Sequence, residues 1–427
     1  MAYRPSRRQV LAGGLGVGAA LPFASASRLP RWLRSKELHA SSAAYKKLVL
    51  IHLNGANDWI NNLVNPDEPT YAAARPTLRL PKASMVQLDS TLPYYIHPQL
   101  LPFKRLYDKG WLTMLPGIGY PTPNFSHFRS TDIWAEADPA ARNVQRGWLA
   151  DFIDKAYVGN DPIVAIDIEN SLNRVFYGHP VPVLRSPTGF QFLTDAQTPV
   201  DSNVELAQIE QNAKFLRAAP NSNLQFVADI VGRVPADSAL LTTTGASYTP
   251  RATYPTVNAA FARDLQLCAR YITGGLTTPI YQVSIGGWDT HANQVDASNP
   301  AGGRHGPLLA AMSGCIEAFL LDLEAWGAAD DVLVVVWSEF GRRVGENGSL
   351  GTDHGAAGIA YLAGKTIKKP GIQSAYPSWS AVQAPYNRAN FDYTVDFRSL
   401  YGTILEDYWG VDSAKVLGQK WPGLGLV

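Results

Sequence analysis

Apolar residues in this chain fall into short continuous runs, separated by stretches with a helical rhythm. Five runs stand out: "KLVLIHL" (47–53), "WLTMLPGIG" (111–119), "PIVAIDIE" (162–169), "PIYQVSIGG" (279–287) and "VLVVVWSEF" (332–340). None alternates apolar with polar positions, so each predicts a strand covered on both faces, as in parallel sheets. Between them, 258–273 and 306–326 repeat apolar residues at helical spacing, and Gly274-Gly275 supplies a stop for the first. A further helical pattern begins after Asp396, an acceptable N-cap. Strand and helix in alternation predict an α/β fold: a doubly wound, mostly parallel sheet with helices on both faces and right-handed crossovers. The stretch 186–256 is richer in Pro, Asn, Ser and Thr and is expected to hold helices of an insertion or cap. No internal repeat is present, and 45–427 reads as one domain with a decorated edge.

The first residues change the picture of where the protein works. "PSRRQVL" sets Arg7 and Arg8 before the apolar, Gly-rich "LAGGLGVGAALPF", and "ASA" at 24–26 has the small residues of a cleavage site. That apolar run is short for a bilayer span. The arginine pair after a Ser predicts a twin-arginine export signal over 1–26, with an ordinary secretory signal as the alternative, and an exposed linker over 27–44. The expected partner is therefore the twin-arginine machinery, and the expected location periplasmic or extracellular. That route carries folded proteins, which favours a metal loaded before export.

Removing Arg4, Arg7 and Arg8 and no acid takes the formal charge from +1 to −2. A nearly neutral mature chain gives no electrostatic case for nucleic acid, and no other stretch predicts a membrane span. With 46% hydrophobic and 17% charged residues, disorder and coiled coil are excluded as classes. Cys268 and Cys315 each fall on the apolar face of a predicted helix, so both read as small hydrophobes, with a disulfide between them left open.

In open α/β sheets, ligands bind beyond the carboxyl ends of the strands, and four such places carry polar residues. The first run ends in "NGANDWINN", where Asp58 is either a turn residue or helix cap, or a ligand; His52, mid-strand, reads as a packed core histidine. After the second run, Ser126 and His127 open a predicted helix; Ser126 is an N-cap or, in that electropositive position, a nucleophile. As sequence neighbours the two do not form an obvious nucleophile–base pair. No G-x-S-x-G elbow occurs, which counts against an α/β-hydrolase. "GGWDTHAN" delivers Asp289 and His291 two residues apart, able to share one cation, and "WSEFGRRVGENGSLGTDHG" offers Glu339, Arg342 and His354 around a glycine-rich loop. If Asp58, Asp289 and Glu339 meet in one crevice, each pair at ~4 Å repels by about 4 kcal/mol. Marginal stability of roughly 5–15 kcal/mol cannot hold three such charges uncompensated, whereas one or two divalent cations would reverse the sign.

Taken together, "LNGANDWINN", "GIGYPTPNFSHFRSTDIW", "RGWLADFI", "SIGGWDTHAN", "WSEFGRRVGENGSLGTDHG" and "VDFRSLYGTIL" resemble the family called domain of unknown function 1501. That family in turn resembles the alkaline phosphatase-like superfamily, which includes sulfatases and phosphopentomutase-like enzymes. The resemblance implies a two-metal site at the strand ends: Asp58 as first-strand ligand, Ser126 as nucleophile, Asp289, His291 and His354 around one metal, and Glu339 as the acid of a late Asp-His pair. Departures accompany it. Glu339-Phe340 stands where that superfamily has Asp-His, the Asp289–His291 spacing is tighter, and Ser126 lacks the Cys/Ser-x-Pro-x-Arg context of a formylglycine.

These residues lead to the expectation of an exported metal-dependent hydrolase of a phosphate or sulfate ester, small or part of a glycan or envelope component. Ser126 would be the nucleophile, Arg342 or Arg343 an anion clamp, and zinc or manganese the cation, as one or two ions. The rival expectation is a non-catalytic member with a degenerate metal site that binds envelope polysaccharide or a protein.

Overall fold

The computed structural model describes residues 45–140, 144–186, 211–218 and 222–427, within a compact unit from Ala44 to Val427. The expected export signal and linker lie outside the described residues, as does the part of the expected insertion between 187 and 210. No described helix is long and apolar enough to cross a membrane.

The apolar runs form β1 (Lys47–Asn54), β2 (Leu112–Gly119), β3 (Ala165–Ile168), β4 (Ile280–Gly286) and β5 (Val332–Trp337). A two-stranded ribbon follows, β6 (Gly341–Arg342) against β7 (His354–Gly355), and then β8 (Gly358–Ala363), β9 (Gly371–Ile372) and β10 (Val395–Asp396). The eight-stranded main sheet is ordered β9-β2-β8-β5-β1-β4-β3, with β10 beside β2. Every pairing is parallel except those of β8, which runs antiparallel between β2 and β5. The strands β1 to β5 therefore all end at one edge.

Both faces of β1 are dry because successive residues feed two separate cores. Val49, Ile51 and Leu53 pack in one, and Leu48 and Leu50 in the other. The first core is closed by α5 (Ala259–Thr273) and α6 (His305–Ala325). The second is closed by α2 (His127–Glu136), α3 (Trp148–Lys155) and α7 (Phe397–Gly402). This is the doubly wound arrangement that the unalternating runs predict. Also described are α1 (Leu101–Asp108), against α6, and α4 (Ser222–Thr243), inside the expected insertion. Asp396 caps α7 by accepting the Arg398 N–H, and both cysteines are buried free thiols on α5 and α6.

One buried acid on the sheet forms no ion pair among the described residues, and the charge of Arg185 does not offset its burial. Asp167 of β3 is fully buried; its Oδ2 accepts the Asn173 N–H at 2.5 Å, and its Oδ1 has no partner. Gln282, in register on β4, presents an equally unpartnered Oε1. Burial pushes the Asp167 carboxyl up to about 7.

Candidate functional site

Three chain segments meet at the carboxyl edge of the sheet. After β2, the loop 120–126 is tied down by its own side chains. The Tyr120 hydroxyl accepts the Asn124 N–H at 3.1 Å, and the Ser130 hydroxyl donates to the Asn124 carbonyl at 2.6 Å. That arrangement starts α2 at His127, with Ser126 at the N-cap and exposed; its hydroxyl makes no capping bond. Beyond β4, Gly287 takes φ +98° and the chain turns to present Asp289 and His291. The β6–β7 ribbon sets His354 opposite Arg342.

Three imidazoles and one carboxylate converge there. The Nε2 atom of His354 lies 2.7 Å from Nε2 of His291 and 3.0 Å from Nε2 of His127. Asp289 Oδ1 is 3.2 Å from His291 Nε2, 3.3 Å from His354 Nε2 and 3.5 Å from His127 Nε2. The opposite nitrogen of each ring is committed. His354 Nδ1 donates to the Phe125 carbonyl at 2.6 Å, His127 Nδ1 to Glu339 at 2.6 Å, and His291 Nδ1 to Asp353 at 3.1 Å. A carbonyl or carboxylate only accepts, so each neutral ring carries its proton on Nδ1 and turns the Nε2 lone pair inward. Lone pairs facing each other at such distances repel unless a proton or a metal cation lies between them. A tetrahedral ion with bonds of about 2.0–2.1 Å sets its donors roughly 3.3 Å apart. The Asp289 separations match that spacing, whereas the 2.7 and 3.0 Å imidazole pairs are tighter by roughly 0.3–0.6 Å. Imidazole and carboxylate donors together fit a divalent cation. His127, Asp289 and His354 offer atoms all within 4.8 Å of one another.

Electrostatics keep the acids ionised. Burial raises the Asp289 carboxyl, but the Arg342 hydrogen bond and charge outweigh it and hold the group at about 2. Glu339 is completely buried; burial would raise it, yet hydrogen bonds from His127 and His52 hold it far below the usual carboxylate range. His127 is raised despite burial, mainly by its bond to Glu339, and burial lowers His354.

The residues singled out in the sequence are placed unequally. Asp289, His291 and His354 are brought together. Glu339 is next to them but not in the cluster: it accepts from His127, from His52 at 3.1 Å and from the Gly55 N–H at 2.9 Å, so it orients a ligand. His52 is buried as a core residue, stacked on Trp337 at 4.1 Å, and also anchors Glu339. Asp58 is not brought to the cluster. Its carboxylate, fully buried, is held by both Arg75 nitrogens at 2.6 and 2.8 Å and by Gln294 at 2.5 Å. Those three donors commit the carboxylate to Arg75 and Gln294.

Arg342 is not free to clamp an anion. Its buried guanidinium donates to the carbonyls of Gly55, Ala56, Trp288 and Thr352 and to Asp289, between 2.5 and 3.2 Å. It braces three loops behind Asp289. Arg343 is half-buried, its guanidinium 4.9 Å over the Phe125 ring with one nitrogen on the Arg388 carbonyl. His127 is the functional side chain that sequence reasoning passed over as a mere neighbour of Ser126. Its signal was position, the first residue of a helix opening at a strand end. Phe340 packs 4.9 Å from both the His127 and His354 rings, an apolar wall where the superfamily resemblance implies an imidazole.

Comparison with known proteins gives one sequence match. The family model described as "Protein of unknown function (DUF1501)" matches residues 118–417. No curated protein matches the sequence. Similar solved structures include the PsFucS1 sulfatase from Pseudoalteromonas sp., 11% identical, covering 89% of this chain and 70% of that one at a TM-score of 0.38. They also include the lipoteichoic acid synthase LtaP from Listeria monocytogenes, 8% identical over 90% and 75% at 0.35. A third is a protein in the alkaline phosphatase superfamily from Vibrio parahaemolyticus, 10% identical over 86% and 67% at 0.34. Likeness at these scores transfers no activity.

Proposed function

From the premise that this chain belongs to the DUF1501 family of proteins of unknown function, we propose that it is an exported, metal-dependent hydrolase of a phosphate or sulfate ester. Export by the twin-arginine route is part of the proposal and rests on Arg7-Arg8 and the apolar run behind them. The observation that carries the enzymology is the convergence of three Nε2 lone pairs and Asp289 Oδ1, each ring fixed from behind by an oxygen.

His127, His291, His354 and Asp289 would hold the ion, with Glu339, Asp353 and the Phe125 carbonyl keeping the rings in register. Phe340 in place of an imidazole favours one strong ion over two. Bound there, a divalent cation supplies Lewis acidity toward an ester oxygen and lowers the pKa of a coordinated hydroxyl. Ser126 sits one residue before His127 with a hydroxyl that caps nothing, at the electropositive start of α2. It attacks phosphorus or sulfur, the alcohol leaves with a proton, and water then releases the group from Ser126. Arg343 takes the clamp role that the saturated Arg342 cannot fill.

The test is elemental analysis of the purified protein together with assays on aryl phosphates and aryl sulfates. Stoichiometric zinc or manganese, lost in His354→Ala, and turnover abolished in Ser126→Ala are expected. No bound metal, or turnover indifferent to Ser126→Ala, overturns the mechanism. The rival, a non-catalytic member with a degenerate metal site that binds envelope polysaccharide or a protein, draws on Phe340 and predicts no turnover of any ester.

A further inference from the structure

The helix α6 is apolar on nearly every side, and its inner side closes the first core. Its outer flank is different: Ala310 and Gly314 line a space between α1 and the segment Ala252–Val257, with Pro255 so close to Gly314 that a Cβ there would sit 2.8 Å from its ring. A groove of about 600 Å³ follows that flank. A second lobe of about 280 Å³ continues it, with Val257 forming a wall of both. The smaller lobe reaches Gly287 and Arg304. Gly287 is two residues from Asp289, so their Cα atoms are at most about 7 Å apart along the chain. The smaller lobe therefore ends two residues along the chain from the candidate ligand Asp289.

Its chemistry is graded along its length. The walls are aliphatic, with Leu101 45% and Val257 50% exposed, a cost that an apolar occupant would remove. Arg105, at the far end, is neutralised by a bidentate pair with Glu317 at 2.5 Å. Arg304, at the end near the site, is exposed and forms no ion pair among the described residues. One end thus suits an anion and the rest a hydrocarbon. The larger lobe, at about 600 Å³, is in the range of ligand pockets, roughly 300–1,000 Å³.

We propose that this groove receives the alkyl chain of an amphiphilic substrate, an alkyl or isoprenoid phosphate ester with its head group at the Arg304–Asp289 end. The placement of the head group rests on the hydrolase reading; the groove's preference for a chain does not. Fully burying a methylene tightens binding about fourfold, and a groove open on one side covers about half of it, giving about twofold per methylene.

The experiment is calorimetric titration of the purified full chain with inorganic phosphate, hexyl phosphate and dodecyl phosphate, the last two below their micelle concentrations. Six added methylenes should tighten binding roughly 60-fold in wild type. Ala310→Trp fills the groove and Val257→Glu puts a charge on its shared wall; each should flatten the series and leave inorganic phosphate unchanged. Val257 is half-exposed, so its substitution spares the fold. His354→Ala should weaken all three ligands together and keep the dependence on chain length. Equal binding of hexyl and dodecyl phosphate, or a slope that survives both groove variants, overturns the inference. So does a dimer that Val257→Glu dissolves, since the groove would then belong to a second copy. A slope without binding of inorganic phosphate instead overturns the hydrolase reading and leaves the groove.

Discussion

Asp167→Asn isolates a pH effect that the fold itself dictates. The carboxyl sits at about 7 because burial disfavours its charge, against an ordinary value of 3.8. Below pH ~4 the acid is protonated in both folded and unfolded chains, and its contribution to stability is fully present. Between pH ~4 and ~7 the unfolded chain has released the proton while the folded one keeps it, so stability falls by about 1.4 kcal/mol per unit. Over about three units the loss approaches roughly 4 kcal/mol, an upper figure, and above pH ~7 it levels off. Asparagine removes the titration. Its Oδ1 still accepts the Asn173 N–H, and its amide can supply the proton that Gln282 Oε1 lacks. Urea or guanidinium midpoints of both proteins from pH 4 to 8 are the assay. The difference between variant and wild type should move in favour of Asn across that window and then hold constant. Parallel profiles would refute the reasoning and mean that Asp167 is charged in the folded protein.

Three further outcomes follow from the site. Glu339→Gln exchanges one accepting oxygen for an amide facing His127, His52 and Gly55, and should weaken metal binding about 10- to 100-fold in chelator competition with the fold retained; unchanged affinity would remove its orienting role. Asp58→Asn leaves Arg75 buried and uncompensated and should cost about 3–5 kcal/mol of stability in denaturant titration. Metal content in the surviving folded protein should be unaltered, and loss of metal at full stability would restore Asp58 as a ligand. Gly55→Ala meets both φ +124° and a Cβ 2.4 Å from the Asp289 nitrogen, so roughly 1–3 kcal/mol and much of the bound metal should be lost; a neutral result in melting and elemental analysis would show that the two loops part freely.

The sheet was legible because five of its strands advertise themselves as unbroken apolar runs. β8 was not: "GIAYLA" is short, flanked by small residues, and its antiparallel place between β2 and β5 is decided by pairing partners some 25 and 245 residues away. At the site, position past a strand end was enough to single out Asp289, His291 and His354. It failed for Asp58, which satisfies the same rule, because the deciding contact is Arg75 in "YAAARPTLRL". Nothing local marks that arginine as a partner. Arg342 failed for a related reason: an arginine in a glycine-rich loop reads as available, and only packing reveals that its donors are already spent on carbonyls.

The way one planar cation gathers the carbonyls of Gly55, Ala56, Trp288 and Thr352 bears on how this rim can diverge among relatives. Exposed side chains on those loops, such as Ser349, leave that frame untouched, whereas Gly55, Trp288 and Thr352 are packed into it. The outlying tip at Gly348–Ser349 is exposed and carries none of the four carbonyls. A lineage could therefore retune what it accepts at the mouth while inheriting the inner frame unchanged.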